Sequence, residues 1–321
     1  MAPRFLAACV STLALSTAPA LADITPAEVW ADWQDLTARY GFQTETAGIE
    51  EAGDTLTVRG VVLTMESEDA GSARVEAGDI VFRDMGDGRV SVELAPAMPF
   101  TMEFPDPEGG TGSISMTLGH TGAEMIVSGD TVDRVYDYSA DTYGVSDVEI
   151  IDPSSDEDVE IALDLTLAAV SGRTTASGTD AIAYTSEVDA ETLTVTATGS
   201  GTDDMGQPAN FNLSAEARGF FERSNGTFTT LEPDDSPAEM IAKGFTADGR
   251  LGYAALAYGL SGEGVDGPFQ FTGTTERGEA SFAMNEAGAT YATETGPQTV
   301  NIMGGAPFPV SVSIGETGAT L

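Results

Sequence analysis

The sequence predicts a mainly β protein, built on one or more long, curved antiparallel sheets, with a helix packed at the N-terminal end and one short second helix. Three observations lead there. From Glu51 onward apolar residues recur at every second position, the period of a half-buried strand. The chain has 37 glycines, many Thr and Ala, and only 7% aromatic residues, a composition suited to thin packing layers joined by turns. Two segments alone carry the start signals of a helix. At 321 residues the chain is long enough for one large β domain or two ordinary ones.

Residues 1–22 read as an export signal. Arg4 gives a positive start, residues 10–18 are apolar but too short to span a bilayer, and Ala20-Leu21-Ala22 places small residues at a cleavage site before Asp23. Cleavage after Ala22 predicts a periplasmic protein. Leu6-Ala7-Ala8-Cys9 also spells a lipoprotein-like box, but cutting there would leave too short an apolar stretch, so lipidation is the lesser reading. Beyond the signal the chain has no cysteine and a single lysine, Lys243.

The first helix opens the mature chain. Thr25 is its N-cap, Pro26 occupies the first helical position and Glu28 completes a capping box, with Ile24 and Val29 placed as a hydrophobic staple. Val29, Trp30, Trp33, Leu36 and Tyr40 make one apolar stripe that docks on the body of the domain, and Gly41 stops the helix. Strands follow. Leu56, Val58 and Val62 form one; residues 80–82 and 89–94 flank the hairpin signal Gly86-Asp87-Gly88; Phe100, Met102 and Phe104 alternate, as do Ile114, Met116 and Leu118.

The longest run covers residues 159–170, where Val159, Ile161, Leu163, Leu165 and Leu167 point one way against Glu160, Ala162, Asp164 and Thr166. A dozen residues at ~3.3 Å each reach roughly 40 Å, and strands that long coil, which is why the sheet is expected to curve. Leu193, Val195 and Ala197 alternate with threonines, Phe211, Leu213 and Ala215 alternate again, and Asn225-Gly226 and Asp248-Gly249 read as hairpin turns. Ser236, Pro237 and Glu239 repeat the cap grammar of the first helix, and Gly244 ends the second after about two turns. The acidic, proline-containing segment 232–237 marks a boundary between residues 23–231 and 232–321, the latter continuing the sheet through Phe269, Phe271, Phe282, Met284 and Tyr291.

With 13 basic against 52 acidic residues the net charge is −39, which makes nucleic acid and anionic lipid headgroups poor partners. Nothing after the signal is apolar enough for a membrane span. The catalytic inventory is sparse. His120, the one histidine, falls in Leu118-Gly119-His120-Thr121-Gly122 and reads as an exposed turn residue, so no Ser-His-Asp arrangement is expected. Gly262-Glu-Gly264-Val-Asp-Gly267 matches a dinucleotide-binding pattern in letters, but a strand follows where a helix N-terminus is required, so it reads as a β-turn. Neither catalytic residues nor a cofactor are predicted. Asp84 with Asp87, residues 152–158, and Asp203-Asp204 are the best oxygen clusters for calcium, none with a known loop spacing.

Several segments together resemble an exported family of unknown function from marine, Rhodobacter-like alphaproteobacteria: the Ala-Leu-Ala/Asp junction, Thr25-Pro-Ala-Glu-Val-Trp30-Ala-Asp-Trp33, Gly86-Asp-Gly88, Gly244-Phe-Thr-Ala-Asp-Gly249, Met284-Asn-Glu-Ala-Gly-Ala-Thr-Tyr291 and Pro307-Phe-Pro-Val310. The resemblance implies a periplasmic, β-rich protein and brings no catalytic residues with it. Relatives of this kind continue past the Pro-Phe-Pro-Val strand, which would make this chain a shortened member.

The function expected from these features is non-enzymatic: a periplasmic protein that binds or shields a lipid-like or other apolar ligand in the concavity of a curved sheet. The residues expected to line it are Val159, Ile161, Leu163, Leu165, Leu167, Leu193, Val195, Phe269 and Phe271. The alternatives are an envelope scaffold whose acidic surface engages a basic protein, a calcium-binding β module, and a carboxylate-type hydrolase.

Overall fold

The computed structural model describes residues 23–67, 71–105, 110–151, 160–202, 208–232, 235–264, 267–303 and 310–320. The expected export signal, residues 1–22, therefore lies outside the described residues, as do Val159 and the acidic segments 152–158 and 203–204. The protein is mainly β, with a large antiparallel sheet and two helices, as expected.

Helix α1 (Pro26–Arg39) begins as its sequence dictates: the Thr25 hydroxyl accepts from the Glu28 N–H, the Glu28 carboxylate accepts from the Thr25 N–H at 2.9 Å, and Gly41 leaves the helix with φ of 83°. Then come β1 (Gln43–Glu45), β2 (Gly48–Ala52), β3 (Thr55–Ser67), β4 (Gly71–Asp84), β5 (Arg89–Glu93), β6 (Ala97–Pro105), β7 (Thr111–Thr121), β8 (Glu124–Gly129), β9 (Asp133–Ile151), β10 (Glu160–Ser177), β11 (Ile182–Thr202) and β12 (Pro208–Phe228). Helix α2 (Pro237–Ala242) precedes β13 (Thr246–Tyr253), β14 (Ala255–Gly264), β15 (Gly267–Thr275), β16 (Gly278–Asn285), β17 (Gly288–Thr295), β18 (Gln298–Met303), β19 (Val310–Ile314) and β20 (Thr317–Thr320).

The topology is a plain meander. Seven positions in the sheet hold two short strands laid end to end, β1 with β2, β5 with β6, β7 with β8, β13 with β14, β15 with β16, β17 with β18 and β19 with β20, so the twenty strands make thirteen long lines. Each line pairs antiparallel with the one before and after it in the chain, and β12 pairs with both β13 and β14, so the sheet runs on past residue 231. Among the described residues nothing pairs with the outer side of the first line or the last.

Every line is interrupted at the same height. In β9 to β12 the shielded positions are even-numbered on one side of this level (Ala140, Val170, Ala190, Phe220) and odd-numbered on the other (Tyr143, Leu167, Leu193, Ala217), so one residue per strand is inserted between two alternations in phase. Asp141, Ala169, Glu191 and Gly219 sit at the change and are exposed on the polar face; Ala169 and Gly219 have φ of 51° and 62°. Gly60 and Gly78 do the same in β3 and β4, and in the divided lines the break between the two short strands takes this place, as at Ala254. Because neighbouring strands each carry an extra residue, the pairing stays in register on both sides: Val170 faces Ala140 and Ala168 faces Thr142. Extra length on the polar side bends every line toward the apolar side. The expected curvature thus arises from a row of bulges crossing all the strands, which divides the sheet into a near half carrying α1 and a far half.

The core lies between α1 and the near half. Val29 and Trp30 meet Leu56 and Val58 of β3, Phe82 of β4, Val90 and Val92 of β5 and Val127 of β8, with Trp33 edge-on to the Phe82 ring at 5.4 Å. Phe82 is fully buried, a side chain whose removal from a core costs about 3–5 kcal/mol. The docking of α1 is also polar: Asp32 forms an ion pair with the buried Arg134 of β9 and accepts from the Tyr136 hydroxyl at 2.6 Å, while Arg39 donates to the carbonyls of Thr179 and Asp180, both at 2.6 Å.

Several expectations need correction. Val61, and not Val62, takes the buried place in β3, because the bulge at Gly60 shifts the phase. Asn225-Gly226 and Asp248-Gly249 are interior to β12 and β13, and are no turns: Gly226 and Gly249 face the Tyr184 and Phe282 rings, which occupy the space a Cβ would need. His120 belongs to β7, facing Tyr143 of β9. Lys243 is the C-cap residue of α2, its N–H donating to the Glu239 carbonyl at 2.9 Å, and its ammonium reaches back to the Asp235 carboxylate at 2.6 Å, before the helix begins. The Gly86-Asp87-Gly88 turn lies where the sequence put it, and Gly264 pairs with Gly267 between β14 and β15.

Candidate functional site: the far half of the apolar face

The far half is organised by cross-strand rows. Nearest the bulges, His120, Tyr143, Leu167, Leu193, Ala217 and Leu256 stand side by side on six successive lines. One step outward the row is Leu118, Val145, Leu165, Val195, Ala215 and Tyr258; the next is Leu163, Ala197, Leu213, Leu260, Phe271 and Ile302; and the last is Ile161, Gly199, Phe211, Gly262 and Phe269. Directly opposed residues share a face, so the rows form one surface. All the described residues expected to line a site, Ile161, Leu163, Leu165, Leu167, Leu193, Val195, Phe269 and Phe271, are brought together on it.

Its composition is one-sided. In a chain with 20% charged residues, no position of the far half on this face holds Asp, Glu, Lys or Arg among the described residues. The rows continue to β6, where Met98, Phe100 and Met102 share the face, and to β18 and β19, where Val300 and Val312 do. Twelve spacings of ~4.8 Å make the surface roughly 58 Å long, and seven residues of β10 at ~3.3 Å make it roughly 23 Å high. Among the described residues the helix that covers the near half, α1, does not extend over most of this surface. Leu163, Leu165 and Leu167 are half-buried by lateral neighbours alone, and Ile161, Ile150 and Ile302 are exposed by 42%, 52% and 39%. Soluble proteins rarely leave apolar patches beyond a few hundred Å² open unless something binds there.

Glycines set the relief of this surface. Phe211 lies over Gly199, Phe269 over Gly262 and Tyr258 over Gly273, each ring directly across from a glycine whose missing Cβ leaves room for it. Rings that lie down on the sheet in this way give a smooth wall. The abundance of glycine in the sequence serves this role as well as turns.

His120, the one histidine of the chain, also lies on this wall. Its ring packs on Tyr143 at 5.7 Å between centroids, and both its nitrogens are shielded from solvent without a hydrogen-bond partner. On the convex face an open dent of about 460 Å³ is lined by Asp189, Glu191, Phe221, Arg223 and Arg250. Arg223 donates to Asp189 within it at 2.7 Å, and both guanidiniums lie 5.7–5.8 Å from the Phe221 ring centre.

Among the described residues no three His, Cys, Asp or Glu side chains are grouped to hold a metal ion, and no helix is long and apolar enough to cross a membrane. Asp84 and Asp87 instead serve their own hairpin, Asp84 accepting from the Gly86 N–H at 2.7 Å and Asp87 from Arg89. Compared with known proteins, the chain matches no protein family, no curated protein and no solved structure. The class that fold and site define is an antiparallel meander bent around an open, charge-free apolar wall.

Proposed function

We propose that this is an exported, periplasmic, non-enzymatic protein that holds apolar chains, lipid-like in character, against the far half of its concave face. The carrying observation is that among the described residues this wall holds no Asp, Glu, Lys or Arg, in a chain with 52 acidic residues. One leaflet of a membrane is roughly 15 Å of hydrocarbon, so a wall of ~58 by ~23 Å takes several acyl chains side by side. Strong negative charge favours a neutral or zwitterionic head group over an anionic one. The open side of the bend would let a ligand enter along its length.

The test compares opposite faces of one strand. Mature protein purified from periplasm is examined by native mass spectrometry for bound lipid and then titrated with an apolar fluorescent probe. Leu165→Asp, on the wall, is expected to weaken probe binding at least tenfold. Thr166→Asp, the adjacent residue on the polar face, should leave it unchanged. A wild-type protein that is empty and also fails to bind the probe, or equal losses in the two variants with circular dichroism unchanged, would overturn the reading.

A further inference from the structure

One carboxylate interrupts the apolar side of the sheet at β12. The near-half alternation that carries Phe220 continues to Glu222, which stands on the concave side between Val188 of β11 and Leu251 of β13. Across β9 to β17 the other charged side chain on this side of the near half, among the described residues, is Arg134, and Asp32 of α1 pairs with it. Glu222 is half-buried and, among the described residues, has neither an ion pair nor a side-chain hydrogen bond. Withdrawing a carboxylate from water without a partner costs stability, and such exceptions to a consistent pattern mark functional positions.

Its surroundings are rings and hydroxyls. The Tyr138 ring lies over Gly172 with its hydroxyl against Thr174 and Ser186, whose own hydroxyls are 3.1 Å apart, and Ser224 stands opposite Ser186. From the other side the Phe282 ring reaches over Gly249, which Ser224 faces, and Phe282 and Leu251 are both exposed. The carboxylate charge is felt at the phenols of Tyr138 and Tyr184, which burial first and this charge after it raise above the ordinary value, so both remain neutral donors at neutral pH. A fixed negative charge between ring faces attracts an organic cation twice, through the carboxylate and through the π-systems. We propose that Glu222, with the Tyr138 and Phe282 rings, binds an ammonium head group whose apolar chain lies on the far-half wall, a site that rests on the wall holding that chain. Ala217, the nearest wall position on the same strand, is five residues or roughly 16 Å away past Phe220, a distance one chain spans. An anionic head group would meet Glu222 as a like charge.

Calorimetry of the mature protein with decyltrimethylammonium, and with decanol as its uncharged counterpart, separates head from chain. Glu222→Gln is expected to weaken the ammonium ligand at least tenfold and to leave decanol unchanged, while Glu216→Gln, on the convex side of the same strand, should leave both unchanged. A wild type that holds the two ligands equally tightly, a Glu222→Gln variant that keeps the ammonium ligand, or an equal loss in Glu216→Gln overturns the proposal, with decanol binding still speaking for the wall. If the wild type binds neither ligand, the wall reading falls, and tetramethylammonium, which has no chain, decides the site alone. Tyrosine ring signals that shift in nuclear magnetic resonance spectra of the wild type and not of Glu222→Gln uphold the site; the same shifts in both, or none in either, overturn it.

Discussion

Removing the Asp32 carboxylate tests how α1 is held. Arg134 is 5% exposed, its Nε has no hydrogen-bond partner among the described residues, and beside Asp32 it donates to the Gly178 carbonyl at 3.3 Å. Asp32→Ala would leave that guanidinium buried and unpaired, a change that costs about 3–5 kcal/mol in comparable sites. Tyr136 would also lose its acceptor, adding about 1 kcal/mol. For a domain of this size each kcal/mol moves the melting temperature by ~2–4 °C, so the expected fall is on the order of 10 °C. Replacing the whole cluster with apolar groups, Asp32→Leu with Arg134→Met and Tyr136→Phe, should recover most of the loss, because no charge is then stranded. Urea unfolding followed by tryptophan fluorescence reads both variants, since Trp30 and Trp33 lie on the same helix as Asp32. A loss below ~1 kcal/mol for Asp32→Ala, or a triple variant no more stable than the single one, would refute the argument.

Two further outcomes follow from the same geometry. Burial raises the phenol of Tyr40 to about 12, and raises those of Tyr136, Tyr138, Tyr143, Tyr184 and Tyr253 as well. A folded pKa above the unfolded value of ~10 gives stability that is complete below pH 10 and lost as pH rises through the folded value. Absorbance of phenolate should therefore lag that of free tyrosine above pH 10 and then rise together with unfolding; a titration centred at 10 with native circular dichroism throughout would contradict it. Gly199→Val would drive a side chain into the Phe211 ring and should destabilise the fold by about 1–3 kcal/mol, whereas the same change at the open Gly48 should cost much less, as thermal melts will show.

Much of the architecture is written locally. Thr25, Pro26 and Glu28 specify the start of α1 without outside help, and the alternation Leu163, Leu165, Leu167 specifies a strand and the face it presents. The bulges are also visible, once known, as the step of three from Leu167 to Val170, where a step of two would have continued the count. In a single strand that step looks like ordinary irregularity, and it gains meaning only beside the same step in β9, β11 and β12. The misread turns share one cause. Glycine marks a turn because it lacks a Cβ, and it accepts an aromatic ring from the next strand for the same reason, so Asn225-Gly226 carries both meanings until Tyr184 is placed. The link between Asp32 and Tyr136 spans 104 residues, and no neighbouring residue announces it.

The row of bulges also behaves as a parity check on the chain. Deleting Ala169 would leave β10 paired and of nearly normal length, yet it would turn Leu163, Leu165 and Leu167 to the solvent and swing Asp164 and Thr166 onto the wall. No compensating shift is open to the strand, because β9 and β11 each hold their own extra residue at the same level. A loss or gain of one residue anywhere between a bulge and the far rim is thus a change of side, whereas a loss of two is only a change of length.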